Sequence, residues 1–278
     1  MNTFLSTFPF WIDALAVLVV AALGLSLVGF LMVLRRSLFV PLTIAQTGAF
    51  GVTVAFFVSE TVGSELAPFP FALAAALGAS LLFARRREGG SVAEALLFIA
   101  ASAGTLLLGS FLRGDIHDVQ GVLFGNAVLV GREETVVVTL VTLCVVGVYR
   151  LFYHRFLAAS FDPETYAASG KSPYRTDLFL YALLSVLIAV SARAIGSLPV
   201  FAFAVLPALT ALLFTRSLRA AMAAAAVVAV FAAIAGFAAS WCYELPTGAS
   251  VAGMLVLLYG GSFLFIAVAG RCCKRQVL

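Results

Sequence analysis

Hydrophobic and polar residues follow one another along this chain in long blocks rather than residue by residue. Nine apolar runs can be delimited, near residues 11–34, 38–59, 67–84, 92–112, 133–153, 176–194, 197–215, 219–241 and 249–270. A membrane-spanning helix needs about 20 mostly apolar residues, and backbone groups in lipid must be bonded within their own segment. The third, sixth and seventh runs are short, so eight spans and one re-entrant segment fit equally well. The pattern predicts one all-α, polytopic membrane domain, 1–278, of eight to nine transmembrane helices.

Composition and charge agree with a membrane protein and orient it. The chain is 63% hydrophobic and 11% charged, whereas soluble domains are about half apolar and about a quarter charged. Fourteen of the 17 lysines and arginines lie in one set of alternate connections. Because cytoplasmic loops retain positive charge, we expect this set inside, the N-terminus outside, and a multi-pass protein of the plasma (inner) membrane. The net charge of +4 reflects this bias, and no basic stripe with interleaved aromatics indicates a nucleic-acid partner.

The longest polar connection, 150–177, contains the signals of a short helix. Asp162 is a typical N-cap, Pro163 suits the first helical position, and Glu164 follows in the first turn. Gly170 is a typical stop. We therefore expect a helix of about two turns on the cytoplasmic side, which is either a connector or, as the capped helix favours, a docking element for a partner.

Four sets of residues combine into a more specific pattern. They are Leu34-Arg35-Arg36-Ser37-Leu38-Phe39, Val122-Leu123-Phe124-Gly125-Asn126, Phe161-Asp162-Pro163-Glu164 with Gly170, and the C-terminal stretches 196–199, 206–211 and 243–250. In order and spacing they resemble the permease subunit of metal-importing ABC transporters, the zinc, manganese and iron family. The resemblance covers about residues 11–270.

This resemblance implies a homodimer of permeases in the lipid bilayer, working with other subunits. Two ATPase subunits would dock on the coupling segment formed by Phe161, Asp162, Pro163, Glu164 and Gly170, and an extracytoplasmic solute-binding protein would deliver the substrate. The chain has no phosphate-binding loop of the Gly-x-x-x-x-Gly-Lys-[Ser/Thr] type. We therefore expect a transport subunit that is not an enzyme and binds no cofactor, with ATP and Mg on the partner.

The chain departs from the family pattern where the resemblance implies metal ligands. Leu42, Gln46 and Asn126 stand where the family has Asp, His and Asp. The first two are one helical turn apart and share a face. Because transition metals prefer imidazole, thiolate or carboxylate ligands, we expect these positions to belong to a translocation path that binds a bare ion weakly. A bend at Pro207 is expected either to line that path or only to pack against neighbouring helices, and the same two interpretations hold for Gln46.

Two further sets of polar residues are open to more than one interpretation. Asp115, His117 and Asp118 lie in an outer loop and are compatible with a weak divalent-cation site or with a solvated loop; a structural zinc site takes four ligands. Glu94, at the start of the fourth run, is expected to cap a helix start, where the helix dipole favours a negative charge.

The leading hypothesis is the permease subunit of an ABC importer for a divalent transition metal, zinc or manganese first, or for a metal-bearing ligand. One alternative is a diverged permease for a non-metal small ligand, since the three expected ligand positions are neutral. Another is a non-transporting membrane scaffold or sensor that keeps the ATPase-docking helix.

Overall fold

The computed structural model describes residues 2–63, 66–85, 90–112, 131–215 and 217–275, and all its regular elements in that part of the chain are helices. They are α1 (Asn2–Leu34), α2 (Val40–Val62), α3 (Pro68–Arg85), α4 (Gly90–Phe111), α5 (Arg132–Phe161), α6 (Pro163–Ala168), α7 (Pro173–Ile195), α8 (Ser197–Phe214), α9 (Leu218–Tyr243) and α10 (Thr247–Arg275). Within these described ranges, nine helices are long and apolar enough to cross a bilayer, and α6 is the short one. The all-α polytopic prediction is confirmed.

The helix bounds follow the apolar runs except at the start of α1, which begins at Asn2 rather than 11, at the end of α10, which reaches Arg275 rather than 270, and at the end of α5. The fifth run ends at 153, whereas α5 continues to Phe161. At about 1.5 Å per residue, its 30 residues span about 45 Å and exceed a hydrocarbon core of about 30 Å. The last two turns of α5 therefore carry the chain beyond the membrane to α6.

Helices α1 and α7 form the centre of the bundle. Helix α1 packs against α5, α7, α8 and α9, and α7 also contacts α2, α3, α5 and α8. In the span of α1, 72% of the residues in the most apolar window are buried, against 17% in α4 and α10. Helices α4 and α10 therefore present most of their surface to the surroundings, and their exposed side chains are mainly apolar, as lipid contact requires.

Two glycines allow neighbouring helices to approach closely. A Cβ at Gly29 of α1 would collide with the backbone carbonyl of Ala204 in α8, and one at Gly51 of α2 would collide with that of Phe71 in α3. Lipid tails are as apolar as the helices, so association in the membrane depends on close packing at small residues. These two glycines fix α1 on α8 and α2 on α3.

One end of the bundle collects the basic residues. The α1–α2 turn, the α5–α6–α7 connection and the α8–α9 turn lie there, and with them Arg35, Arg150, Lys171 and Arg219. We call this the basic end, and its cytoplasmic location stays a prediction from the charge bias.

The structure corrects the expectation for Glu94. Helix α4 begins at Gly90, so Glu94 lies beyond its first turn, where it caps nothing. The helix starts in the polar residues that precede the apolar run, and Glu94 is buried. Its backbone carbonyl accepts a hydrogen bond from Thr43 Oγ1 of α2 at 3.1 Å.

Candidate functional site

The segment predicted to couple to a partner folds as the local residues dictate. Asp162 is the N-cap of α6, and its Oδ1 accepts a hydrogen bond from the backbone N–H of Thr165 at 3.0 Å. Pro163 opens the helix and Glu164 lies in its first turn. The helix ends at Ala168, and Gly170 follows with a φ of 78°, in the left-handed region that glycine adopts without strain.

Electrostatics reinforce the cap of α6. Hydrogen bonds from Thr165, first from its hydroxyl and then from its backbone N–H, lower the pKa of Asp162. The positive end of the helix dipole also favours an anion at this position. Asp162 is therefore a carboxylate throughout the neutral range, and the helix start is stable in contact with water.

One side chain ties α6 to the bundle and leaves the rest of the helix exposed. Tyr166 is the buried residue of α6, and its hydroxyl is 3.1 Å from Thr176 Oγ1 in α7. The Lys171 ammonium lies 5.7 Å from the centre of the Tyr166 ring. Phe161, immediately before the cap, is 65% exposed. The segment thus presents an apolar side chain and a capped helix at the basic end while remaining attached to α7.

A buried ion pair next to α6 was not found from the sequence. Arg35, directly after α1, forms a salt bridge with Asp177 of α7: Nη1 is 2.8 Å from Oδ1. Its Nε donates a second hydrogen bond, also 2.8 Å, to Ser160 Oγ near the end of α5. The exposed fractions of the two charged side chains are only 10% and 4%. One arginine therefore fastens α1 to both helices that flank α6.

The predicted path residues Leu42 and Gln46 lie on one face of α2, and both are half-buried. On the neighbouring face, Ala45, Gly48 and Val52 line a cavity of about 300 Å³ between α2, α3 and α7. Neither Leu42 nor Gln46 lines that cavity. The structure thus places the two predicted ligand positions together and separates them from this space, whose walls are mainly apolar.

Arg193 is the charged group of this cavity and belongs to α7. It also forms an exposed ion pair with Glu134 of α5, with Nη2 3.0 Å from Oε1. The cavity therefore offers a transition metal a guanidinium, which is not a metal ligand.

Pro207 lies inside α8 and is buried. The helix continues through it from Ser197 to Phe214, although proline lacks the N–H that would bond to the preceding turn. Its predicted part in the path stays a prediction.

Four of the predicted residues lie outside the described part of the chain. They are Asn126 and the loop residues Asp115, His117 and Asp118. Among the residues that the structure does describe, no three His, Cys, Asp or Glu side chains come together as a metal site. The site predictions for the outer loop therefore stay predictions.

Comparison with known proteins adds evidence independent of these contacts. The sequence profile of the family described as "ABC 3 transport family" matches residues 7–266. The manganese transport system membrane protein MntC of Listeria monocytogenes is 28% identical over 210 residues, which is 75% of each chain. A protein of the same name from Halalkalibacterium halodurans is 27% identical over 255 residues, covering 91% of this chain and 86% of the relative. The solved structure of PsaBC from Streptococcus pneumoniae in complex with Fab matches with a TM-score of 0.80, over 94% of both chains at 21% identity, which shows a shared fold.

Proposed function

Because the chain belongs to the ABC 3 transport family, we propose that it is the permease subunit of an importer that carries a divalent transition metal into the cytoplasm. The observation that carries the proposal is the family match over residues 7–266, almost the full length of the helical bundle. Two relatives are named as manganese transport proteins, which favours manganese, with zinc as the second candidate.

The proposed division of labour follows from what this chain contains. The capped helix α6 would receive a partner ATPase, which would hold ATP and Mg, and Phe161 would contribute the exposed apolar contact. A solute-binding protein would deliver the metal at the opposite end, and a second copy of the chain would complete the permease. Attachment of α6 to α7 through Tyr166 and Thr176 would pass movement of the ATPase into the bundle.

Uptake by reconstituted vesicles tests this function. The permease and its cognate ATPase are reconstituted, and accumulation of manganese, zinc and iron is measured with and without ATP. We expect ATP-dependent, saturable accumulation of manganese, and none when the phosphate-loop lysine of the ATPase is replaced. ATP hydrolysis by an assembled complex without accumulation of any metal would refute the proposal and favour a scaffold or sensor.

A metal held in a small ligand is the alternative to a bare ion, and Leu42 and Gln46 favour it. A leucine and a neutral amide are poor ligands for a bare transition-metal ion. They are compatible with a small ligand whose own donor atoms already coordinate the metal. The same vesicles supplied with chelated and free forms of each metal separate the candidates, since only the chelated form would then be transported.

A further inference from the structure

A second cavity, separate from the coupling segment and from the α2 face, lies towards the basic end. It has a volume of about 530 Å³ and opens between α5 and α9, with Leu27 of α1 among its lining residues. We call it the α5–α9 groove. Its volume is within the range of about 300–1,000 Å³ that is common for small-molecule sites.

Three nitrogen-containing side chains line this groove on its basic side. Arg150 and His154 are one turn apart on α5, so they share a face of that helix. Arg219 belongs to the first turn of α9 and lines the same space. No acidic side chain in the described ranges pairs with any of the three. Two unpaired guanidinium groups around one cavity repel each other, and an anion between them would remove that repulsion.

The deeper part of the groove is apolar. Val146 precedes Arg150 by one turn of α5, and Met222 follows Arg219 by about one turn of α9. One turn is about 5.4 Å along the helix axis. Along both helices, the side chains that line the groove therefore change from charged to apolar in the same direction, from the basic end into the membrane. A ligand that matches both parts has an anionic head and a hydrocarbon tail.

We propose that the α5–α9 groove binds an anionic phospholipid of the cytoplasmic leaflet, with its phosphodiester between Arg150 and Arg219 and an acyl chain along Val146, Met222 and Leu27. Basic pockets between membrane helices on the cytoplasmic side suit anionic head groups, and each basic residue near that surface contributes about a factor of five in affinity. The apolar depth selects a lipid over a free phosphate, which has no tail to place there.

The groove also adjoins the ion pair beside α6. Tyr149 forms part of its wall, is buried, and stacks on Phe156 with ring centres 6.0 Å apart. The backbone carbonyl of Phe156 accepts a hydrogen bond from Ser160 Oγ, which itself accepts one from Arg35 Nε. A bound lipid would therefore stabilise the packing of α5 against α1 near Arg35.

Native mass spectrometry of the full-length, delipidated permease tests the site. Phosphatidylglycerol and phosphatidylcholine with the same acyl chains are titrated separately, and we expect phosphatidylglycerol to bind at least tenfold more tightly. Arg150→Gln with Arg219→Gln should weaken phosphatidylglycerol about 30-fold and weaken phosphatidylcholine much less, because its choline cation offsets the charge of its phosphodiester. Arg155→Gln is the matched control: Arg155 is on the same helix but lies over the Phe152 ring, 5.1 Å from its centre, and its loss should change affinity less than twofold.

Two further arms identify the ligand without removing charge. Val146→Trp should fill the apolar depth and weaken long-chain phosphatidylglycerol while both arginines remain, and millimolar inorganic phosphate should not displace the lipid. Equal affinity for the two lipids in the unmodified permease would overturn the proposal. An equal loss of affinity in Arg155→Gln and in the double variant would also overturn it. Displacement of the lipid by inorganic phosphate would overturn it and indicate a simple anion site. Displacement by the partner ATPase would overturn it and indicate a protein-docking surface.

Discussion

At the scale of single residues, Arg35 shows how a charge is held among membrane helices. Its guanidinium is nearly buried, bonds to Asp177 and Ser160, and lies 5.8 Å from the centre of the Tyr181 ring. Its Nη2 has no hydrogen-bond partner in the described part of the chain. Leaving a buried charge without its partner costs far more free energy than an exposed ion pair contributes. The stability of the bundle is therefore sensitive to changes in the residues around Arg35.

We predict that Asp177→Asn lowers the free energy of unfolding by about 3 kcal/mol, because it leaves the Arg35 guanidinium buried without its carboxylate. Denaturation of the purified permease by titration with a harsh detergent measures the change. Glu134→Gln is the control, since it breaks the exposed pair with Arg193 and should cost less than about 1 kcal/mol. Equal effects of the two substitutions would mean that Arg35 does not depend on Asp177.

Sequence reasoning was successful for residues whose structure depends on near neighbours. Asp162, Pro163 and Gly170 obey capping rules that act within four residues, and all three adopt the predicted positions. Arg35 and Asp177 are 142 residues apart, and no local rule pairs them. The available signal was only that both stand at the same predicted side of the membrane, which leaves many pairings open.

At the scale of elements, the apolar runs predicted the helices because a segment in lipid must satisfy its own backbone. The pattern could not reveal which helix faces meet. Gly29 shows the reason: a glycine in an apolar run is ambiguous from sequence, and only the contact with the Ala204 carbonyl of α8 explains it.

We predict that Gly29→Leu destabilises the permease by about 2 kcal/mol or more, since the added side chain must displace the backbone of α8. Gly147→Leu on α5 is the matched control, because a Cβ there meets nothing within 4 Å. Thermal denaturation of the two purified variants compares them. Equal melting temperatures would show that α1 and α8 do not approach as closely as described.

Helix α6 yields a prediction about coupling. Asp162→Ala removes the cap and should lower metal uptake per ATP hydrolysed severalfold in reconstituted vesicles while the bundle stays folded. Asp162→Asn should retain coupling, because asparagine caps as well as aspartate. If both variants lost coupling equally, the charge rather than the cap would matter, and if neither did, α6 would be a connector.

At the scale of the whole molecule, hydropathy predicted eight to nine spans and the charge bias predicted an orientation, but neither predicted the central place of α1 and α7. That arrangement decides which parts of α2 face a cavity and which do not. Leu42 and Gln46 share a half-buried face away from the 300 Å³ cavity between α2, α3 and α7, so the cavity and the predicted ligand positions are separate candidates for the substrate path.

The last prediction concerns the substrate. Leu42→Asp with Gln46→His and Asn126→Asp should raise manganese and zinc binding by the detergent-purified permease, because two carboxylates and an imidazole supply the ligands that a divalent ion prefers and the ion offsets the cost of burying their charge. Calorimetry and metal analysis measure the change.

Val52→Asp with Phe56→His is the matched control, because it places an Asp/His pair at the same spacing on the face of α2 that lines the cavity. This control variant should bind less manganese and zinc. Tight, stoichiometric metal in the unmodified permease, unaffected by changes at Leu42, Gln46 and Asn126, would instead locate the ion elsewhere, with Asp115, His117 and Asp118 of the outer loop as the next residues to replace.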